Sequence, residues 1–141
     1  VDISRLMTTA EAVGLARGAF GYTLDYARQR VQFGQAIGTF AALRSRFVEM
    51  ACDIDAAAML LAKAAWCADN GLPFHRETAA ARIKAGEVAL RCAMEGLQIF
   101  GGYGYTMEYD IQRYVRDASG LTAAADGEKA ARDAMGDLLG L

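Results

Sequence analysis

Apolar residues recur mostly at steps of three and four through Leu6, Val13, Ala16, Phe20, Leu24, Ala27 and Val31, a spacing that lines one stripe of a helix. The stripe predicts a long first helix over residues 2 to 32. Gly34 and Gly38, set among Phe33, Ile37 and Phe40, interrupt it with a short and partly apolar loop. From Leu43 the pattern resumes through Phe47, Met50, Ile54, Ala57, Leu61 and Ala65. That repeat is close to about 3.5 residues, as in helices that cross at a shallow angle. Asn70, Gly71 and Pro73 supply a left-handed stop and a residue that cannot continue the helix.

A third helix is expected over residues 75 to 100, with Ile83, Leu90, Met94 and Leu97 toward the core. Glu87, Arg91 and Glu95 form an i, i+4 ladder on another face, read as solvated or turned to another subunit. The run Phe100-Gly-Gly-Tyr-Gly-Tyr105 then ends the helix sharply, because closely placed glycines permit positive φ and close approach of another group. A short helix over Asp110 to Ala118 and a weaker one over Glu128 to Leu139 complete the chain, and no segment alternates as a strand would. The expected fold is all-α, an antiparallel up-down bundle of three long helices with one or two short C-terminal ones.

Composition narrows the function classes. A chain of 141 residues has the size of one domain, so residues 1–141 are taken as a single unit. Hydrophobic residues make up 54% and charged residues 23%, with one proline, a mixture suited to packed helices. The formal net charge of -2 leaves no excess of cations to hold a nucleic-acid backbone. No apolar run approaches the roughly 18 residues of a membrane span, and the N-terminus has no signal-peptide pattern, so a cytoplasmic protein is expected. The chain opens on Val1 rather than methionine and enters helical periodicity at once, which suggests the interior of a longer polypeptide.

Cys52, Cys67 and Cys92 are widely spaced, lack a Cys-x-x-Cys pair and are read as reduced packing residues. With His75 as its one histidine the chain cannot build a His-rich metal site or a His-based triad alone; His75 itself is read as a polar residue near a helix start. Gly102-Tyr-Gly104 lacks the third glycine of a dinucleotide fingerprint and follows a helix instead of a strand, so its own role is helix termination. Arg28 and Arg30, beside a glycine turn and an aromatic, can complement a helix dipole or clamp phosphates through a guanidinium fork.

Three segments taken together carry a resemblance. Arg30-Val-Gln-Phe-Gly34 with Ile37-Gly38 and Phe40, then Gln98-Ile-Phe-Gly-Gly-Tyr-Gly-Tyr105, then Arg113-Tyr-Val-Arg-Asp-Ala118 resemble, in order and spacing, the C-terminal helical domain of the acyl-CoA dehydrogenase family. In that family a helical N-terminal domain and a middle β-domain, both absent from this chain, complete the subunit, and the helical bundle also builds the tetramer, a dimer of dimers. The resemblance implies FAD as cofactor. Arg30, Gln32 and Phe33 would reach the FAD of a neighbouring subunit, Arg30 at the pyrophosphate, and Gln98, Gly101 and Gly102 would approach the cofactor near its adenosine. Asp2 and Arg5, matching an Asp-x-x-Arg, would line the acyl-CoA site.

The implied reaction removes an α-proton from an acyl thioester with a carboxylate while the flavin takes a hydride from the β-carbon, giving a trans-2-enoyl thioester in lipid metabolism. The isolated domain would be inactive, and an electron-transfer flavoprotein is a redox partner that the resemblance allows. The base is where this sequence departs from the pattern. The family's glutamate would fall at Ala125, within Ala123-Ala-Ala-Asp-Gly127, which leaves Asp126 as candidate base if the loop carries one extra residue. Another family position for the base falls on Ser4, and a common flavin-contacting glutamine falls on Ala41. Alternatives are therefore a half-site subunit of a mixed oligomer, a related flavin oxidase or monooxygenase, and a purely structural helical module.

Overall fold

The computed structural model describes residues 2–124 and 127–141. Five helices occur among them: α1 (Asp2–Gln29), α2 (Ala41–Asp69), α3 (His75–Phe100), α4 (Ile111–Ala123) and α5 (Glu128–Leu139). The three long helices and two short ones form the expected all-α bundle, with α3 at its centre and packed against each of the other four. No helix among the described residues is long and apolar enough to cross a membrane.

The end of α2 shows how local sequence sets the boundaries. Gly71 adopts φ +66, its N–H reaches back to the Ala68 carbonyl at 3.2 Å, and the Leu72 N–H reaches the Cys67 carbonyl at 2.9 Å. This paired return stops the helix cleanly and satisfies two of its last carbonyls.

α1 is shorter than its apolar stripe predicts. It ends at Gln29, and Val31–Gln32 (β1) pairs antiparallel with Gln35–Ala36 (β2), so the chain does contain a minimal hairpin. Phe33 and Gly34 form its two-residue turn with φ values of +54 and +78, the backbone signs that suit a tight hairpin. Val31, expected on the buried stripe, is exposed. A 3-10 turn over Ile37–Thr39 leads into α2, and α4 runs one turn beyond the expected Ala118 to Ala123.

The core face of α3 also differs from the expectation. Ile83, Leu90 and Leu97 are half-buried and Met94 is exposed, while the buried face is built from Ala79, Ala85, Ala89, Cys92, Ala93 and Gly96. Small residues there let neighbouring backbones approach: a Cβ at Gly96 would sit 2.5 Å from Thr23 Oγ1 and 2.6 Å from Ile111 Cδ1. Larger side chains on that face would hold α1 and α4 away from α3.

The charged ladder of α3 does not run along its own helix. Arg91 donates to Asp53 at 2.6 Å and Glu49 at 2.8 Å on α2, Glu95 accepts from Arg46 at 2.9 Å on α2, and Glu87 accepts from Arg132 at 2.6 Å on α5. Cys67 and Cys92 are buried as expected, but Cys52 is exposed on α2, and all three are free thiols.

Candidate functional site

Two remote segments meet at one end of the bundle. The Arg30 N–H donates to the Tyr26 carbonyl at 2.8 Å, and the Arg30 carbonyl accepts from the Ile37 N–H at 2.8 Å, so both peptide groups of Arg30 are fixed by the junction of α1 and the hairpin. Its guanidinium lies 5.3 Å from the centroid of the Tyr103 ring, within reach of a cation–π attraction. Tyr103 belongs to the 3-10 turn Gly101–Tyr105 that follows α3.

That turn needs its glycines for different reasons. Gly101 takes φ +60 and ψ -135, backbone space closed to other residues at little cost. A Cβ on Gly104 would lie 2.9 Å from the Leu97 carbonyl oxygen, whereas a Cβ on Gly102 would meet nothing within 4 Å. Gly102 is therefore bare on its outer side without any internal packing reason.

Aromatic rings brace the junction. Tyr26 stacks on Phe100 with centroids 4.0 Å apart, Phe100 meets Tyr109 at 5.3 Å, and Tyr103 meets Tyr109 at 5.4 Å. Burial raises the Tyr26 pKa above its ordinary value, while the nearby Arg30 charge opposes the shift; the phenol stays neutral. Gln98 and Gly101, with Met94, Leu97 and Tyr105, line an open cavity of about 320 Å³.

Gln32 and Phe33 sit on the hairpin beside Arg30, both exposed. Phe33 is 92% exposed and carries positive φ, a conformation that costs a non-glycine residue roughly 1–2 kcal/mol. Among the described residues its one ring–ring contact is an edge approach to Phe40 at 6.3 Å. A strained, exposed aromatic is poor for stability alone and suits a contact surface.

Asp2 and Arg5 lie at the opposite end of α1. At a rise of about 1.5 Å per residue, Arg5 and Gln29 are roughly 36 Å apart, so the two groups of candidates cannot face one small ligand within one protomer. Arg5 is 4% exposed, lies 3.6 Å from Asp2 Oδ1, and has Nε and Nη1 without hydrogen-bond partners among the described residues. Sequence reasoning missed His75 here: its Nδ1 lies 2.8 Å from the same Asp2 oxygen.

The last turn of α4 returns to this end. Arg82, fully buried seven residues into α3, donates to the Leu121 carbonyl, and the Gly127 N–H donates to the Ala124 carbonyl at 2.7 Å. A Cβ on Gly127 would sit 2.4 Å from the Thr122 carbonyl oxygen, so only glycine fits. Asp126, the candidate base, lies outside the described residues.

Comparison with known proteins bears on the family and the fold. The family model described as "Acyl-CoA dehydrogenase, C-terminal domain" matches residues 1–132. A probable acyl-CoA dehydrogenase of Bacillus subtilis is 42% identical over 118 residues, covering 84% of this chain and 31% of that protein. Butyryl-CoA dehydrogenase from Megasphaera elsdenii superposes with a TM-score of 0.95 at 35% identity, over 99% of this chain and 37% of the other. The FAD complex of PigA superposes with a TM-score of 0.87 at 26% identity, over 94% and 35% of the two chains. The chain thus spans about a third of the length of the curated relatives it matches. With the match running through both the Arg30 hairpin and the glycine turn, the chain belongs to the acyl-CoA dehydrogenase family, to whose C-terminal domain it corresponds.

Proposed function

We propose that this chain is the C-terminal helical part of an FAD-dependent acyl-CoA dehydrogenase, oxidising an acyl thioester to a trans-2-enoyl thioester within a homo- or hetero-oligomer. The observation that carries the reading is the seating of Arg30 over Tyr103, which joins the hairpin and the glycine turn into one corner.

The residues present fit a flavin dinucleotide. Arg30 offers a fixed cation to pyrophosphate oxygens through charge-assisted hydrogen bonds. Gln32 and Phe33 add a polar group and an aromatic face beside it, and Gln98, Gly101 and Gly102 leave room for close approach near the adenosine. The wide separation of Arg30 from Asp2 and Arg5 favours a division of labour in which one end of the bundle serves a neighbour's cofactor and the other serves acyl-CoA. When bound, the flavin supplies the acceptor for a hydride from the β-carbon. Asp126 is the candidate acceptor of the α-proton at its carboxylate, and Gly127, which nothing larger can replace, follows it as a glycine follows the base in the family's pattern.

A second reading, a half-site subunit whose partner chain supplies the base, draws support from Ala125 and Ala41, where the family's pattern has glutamate and glutamine. One experiment separates them. The complete protein is given acyl-CoA substrates anaerobically and flavin bleaching is followed for the wild type and for Asp126→Asn. The dehydrogenase reading expects bleaching that Asp126→Asn abolishes while FAD is retained. Bleaching at the wild-type rate in that variant removes Asp126 from the mechanism and transfers support to a partner-supplied base.

A further inference from the structure

We propose that His75 is a positioning residue for the acyl-CoA subsite built on Asp2 and Arg5, a proposal that rests on reading those two residues as substrate-lining. Arg5 is 4% exposed, and its Nε and Nη1 hydrogens find no acceptor among the described residues. The Asp2 carboxylate is close enough to attract the guanidinium at 3.6 Å but too far to accept a good hydrogen bond. A buried guanidinium left this way is costly unless an acceptor arrives from elsewhere. The pair is therefore short of acceptor oxygens, and with these nitrogens shielded inside the chain Asp2 is its accessible member.

His75 shares the Asp2 oxygen that lies near Arg5. Its Nδ1 holds the Asp2 oxygen at 2.8 Å from the first turn of another helix, α3. The carboxylate thus stands between the N-termini of α1 and α3, where both helix dipoles favour negative charge. With that oxygen drawn to the imidazole, the Asp2 side chain, 29% exposed, is held in place as the member of the pair that an incoming ligand can reach. His75 is 47% exposed, so the contact contributes little to folding, and its consequence falls on the geometry of Asp2.

The test uses the complete protein loaded with its flavin, with butyryl-CoA and longer acyl-CoA thioesters as probes. His75→Ala is expected to raise the acyl-CoA KM about three- to tenfold, the worth of one modest hydrogen bond, with a smaller effect on kcat and unchanged FAD content. His75→Asn places an amide nitrogen near the position of Nδ1 and is expected to restore most of the loss, which a merely structural role would not require. Asp2→Asn serves as reference. A raised KM in Asp2→Asn with none in His75→Ala overturns the role of His75 alone, as does failure of asparagine to improve on alanine. An unchanged KM in both overturns the subsite and the proposal with it.

Discussion

The guanidinium of Arg30 lies over the ring of Tyr103, 5.3 Å from its centroid, and this contact locks the end of α1 to the turn that ends α3. Tyr103 in turn meets Tyr109, which meets Phe100 under Tyr26. The cation is therefore tied to the ring of Tyr103 and, through its own peptide groups, to the junction of α1 and the hairpin.

Arg30→Ala is expected to weaken FAD binding by the complete protein on the order of ten- to a hundredfold, the range for loss of a charge-assisted hydrogen bond. Arg30→Lys keeps the charge but loses the planar fork and should recover only part. Equilibrium titration of the flavin checks both.

Phe33 carries strain that a substitution can release. Asparagine enters positive φ far more readily than phenylalanine, so Phe33→Asn should raise stability by about 1 kcal/mol. Flavin affinity should fall roughly fivefold through loss of the aromatic contact. Thermal unfolding and flavin titration on the same preparation should therefore move in opposite directions.

Gly96→Ala tests the close approach of α1, α3 and α4. Its Cβ would meet Thr23 Oγ1 at 2.5 Å and Ile111 Cδ1 at 2.6 Å, and overpacking of this kind costs about 1–3 kcal/mol. Adding Ile111→Val should return part of the loss. Gly14, with nothing within 4 Å of its Cβ position, gives the contrast: Gly14→Ala in mid-helix should stabilise by about 0.5–1 kcal/mol.

The Cys92 thiol is pushed up to about 12, chiefly by burial and secondarily by Asp53, with Arg91 opposing. The unfolded chain releases this proton near the ordinary value of 9.0, so between there and about 12 the unfolded state binds fewer protons and stability falls as pH rises. Below that window the contribution is fully present. Cys92→Ala should flatten the slope, and alkylation at pH 8 followed by mass spectrometry should label exposed Cys52 and spare Cys92.

The bounds of α3 and α5 were legible because strong punctuation flanks them: Asn70, Gly71 and Pro73 before α3, Gly101 after it, and Gly127 and Gly140 around α5. The end of α1 was not, since Val31 continues the apolar spacing and a two-residue ladder is too short to show alternation. The core of α3 was misread by size. Its Ala and Gly residues recur at three and four and mark the packed face, while Leu90 and Leu97 pack at its margin and Met94 is exposed. Arg30, Gln98 and Gly102 could be grouped only through the family resemblance, because no local spacing encodes a contact between the hairpin and the glycine turn. His75 and Asp2 meet across 73 positions, which periodicity does not report.

The central claim is that the Arg30 corner and the glycine turn present one surface to FAD, and Gly102 tests it most directly. A side chain there meets open space within the chain, so Gly102→Leu should leave the helical bundle folded, with unchanged circular dichroism, while filling the approach a cofactor would use. Flavin titration of the complete protein carrying this substitution is predicted to show FAD affinity lowered at least about tenfold, equivalent to roughly 1.4 kcal/mol. Wild-type FAD affinity in the folded variant would contradict the account.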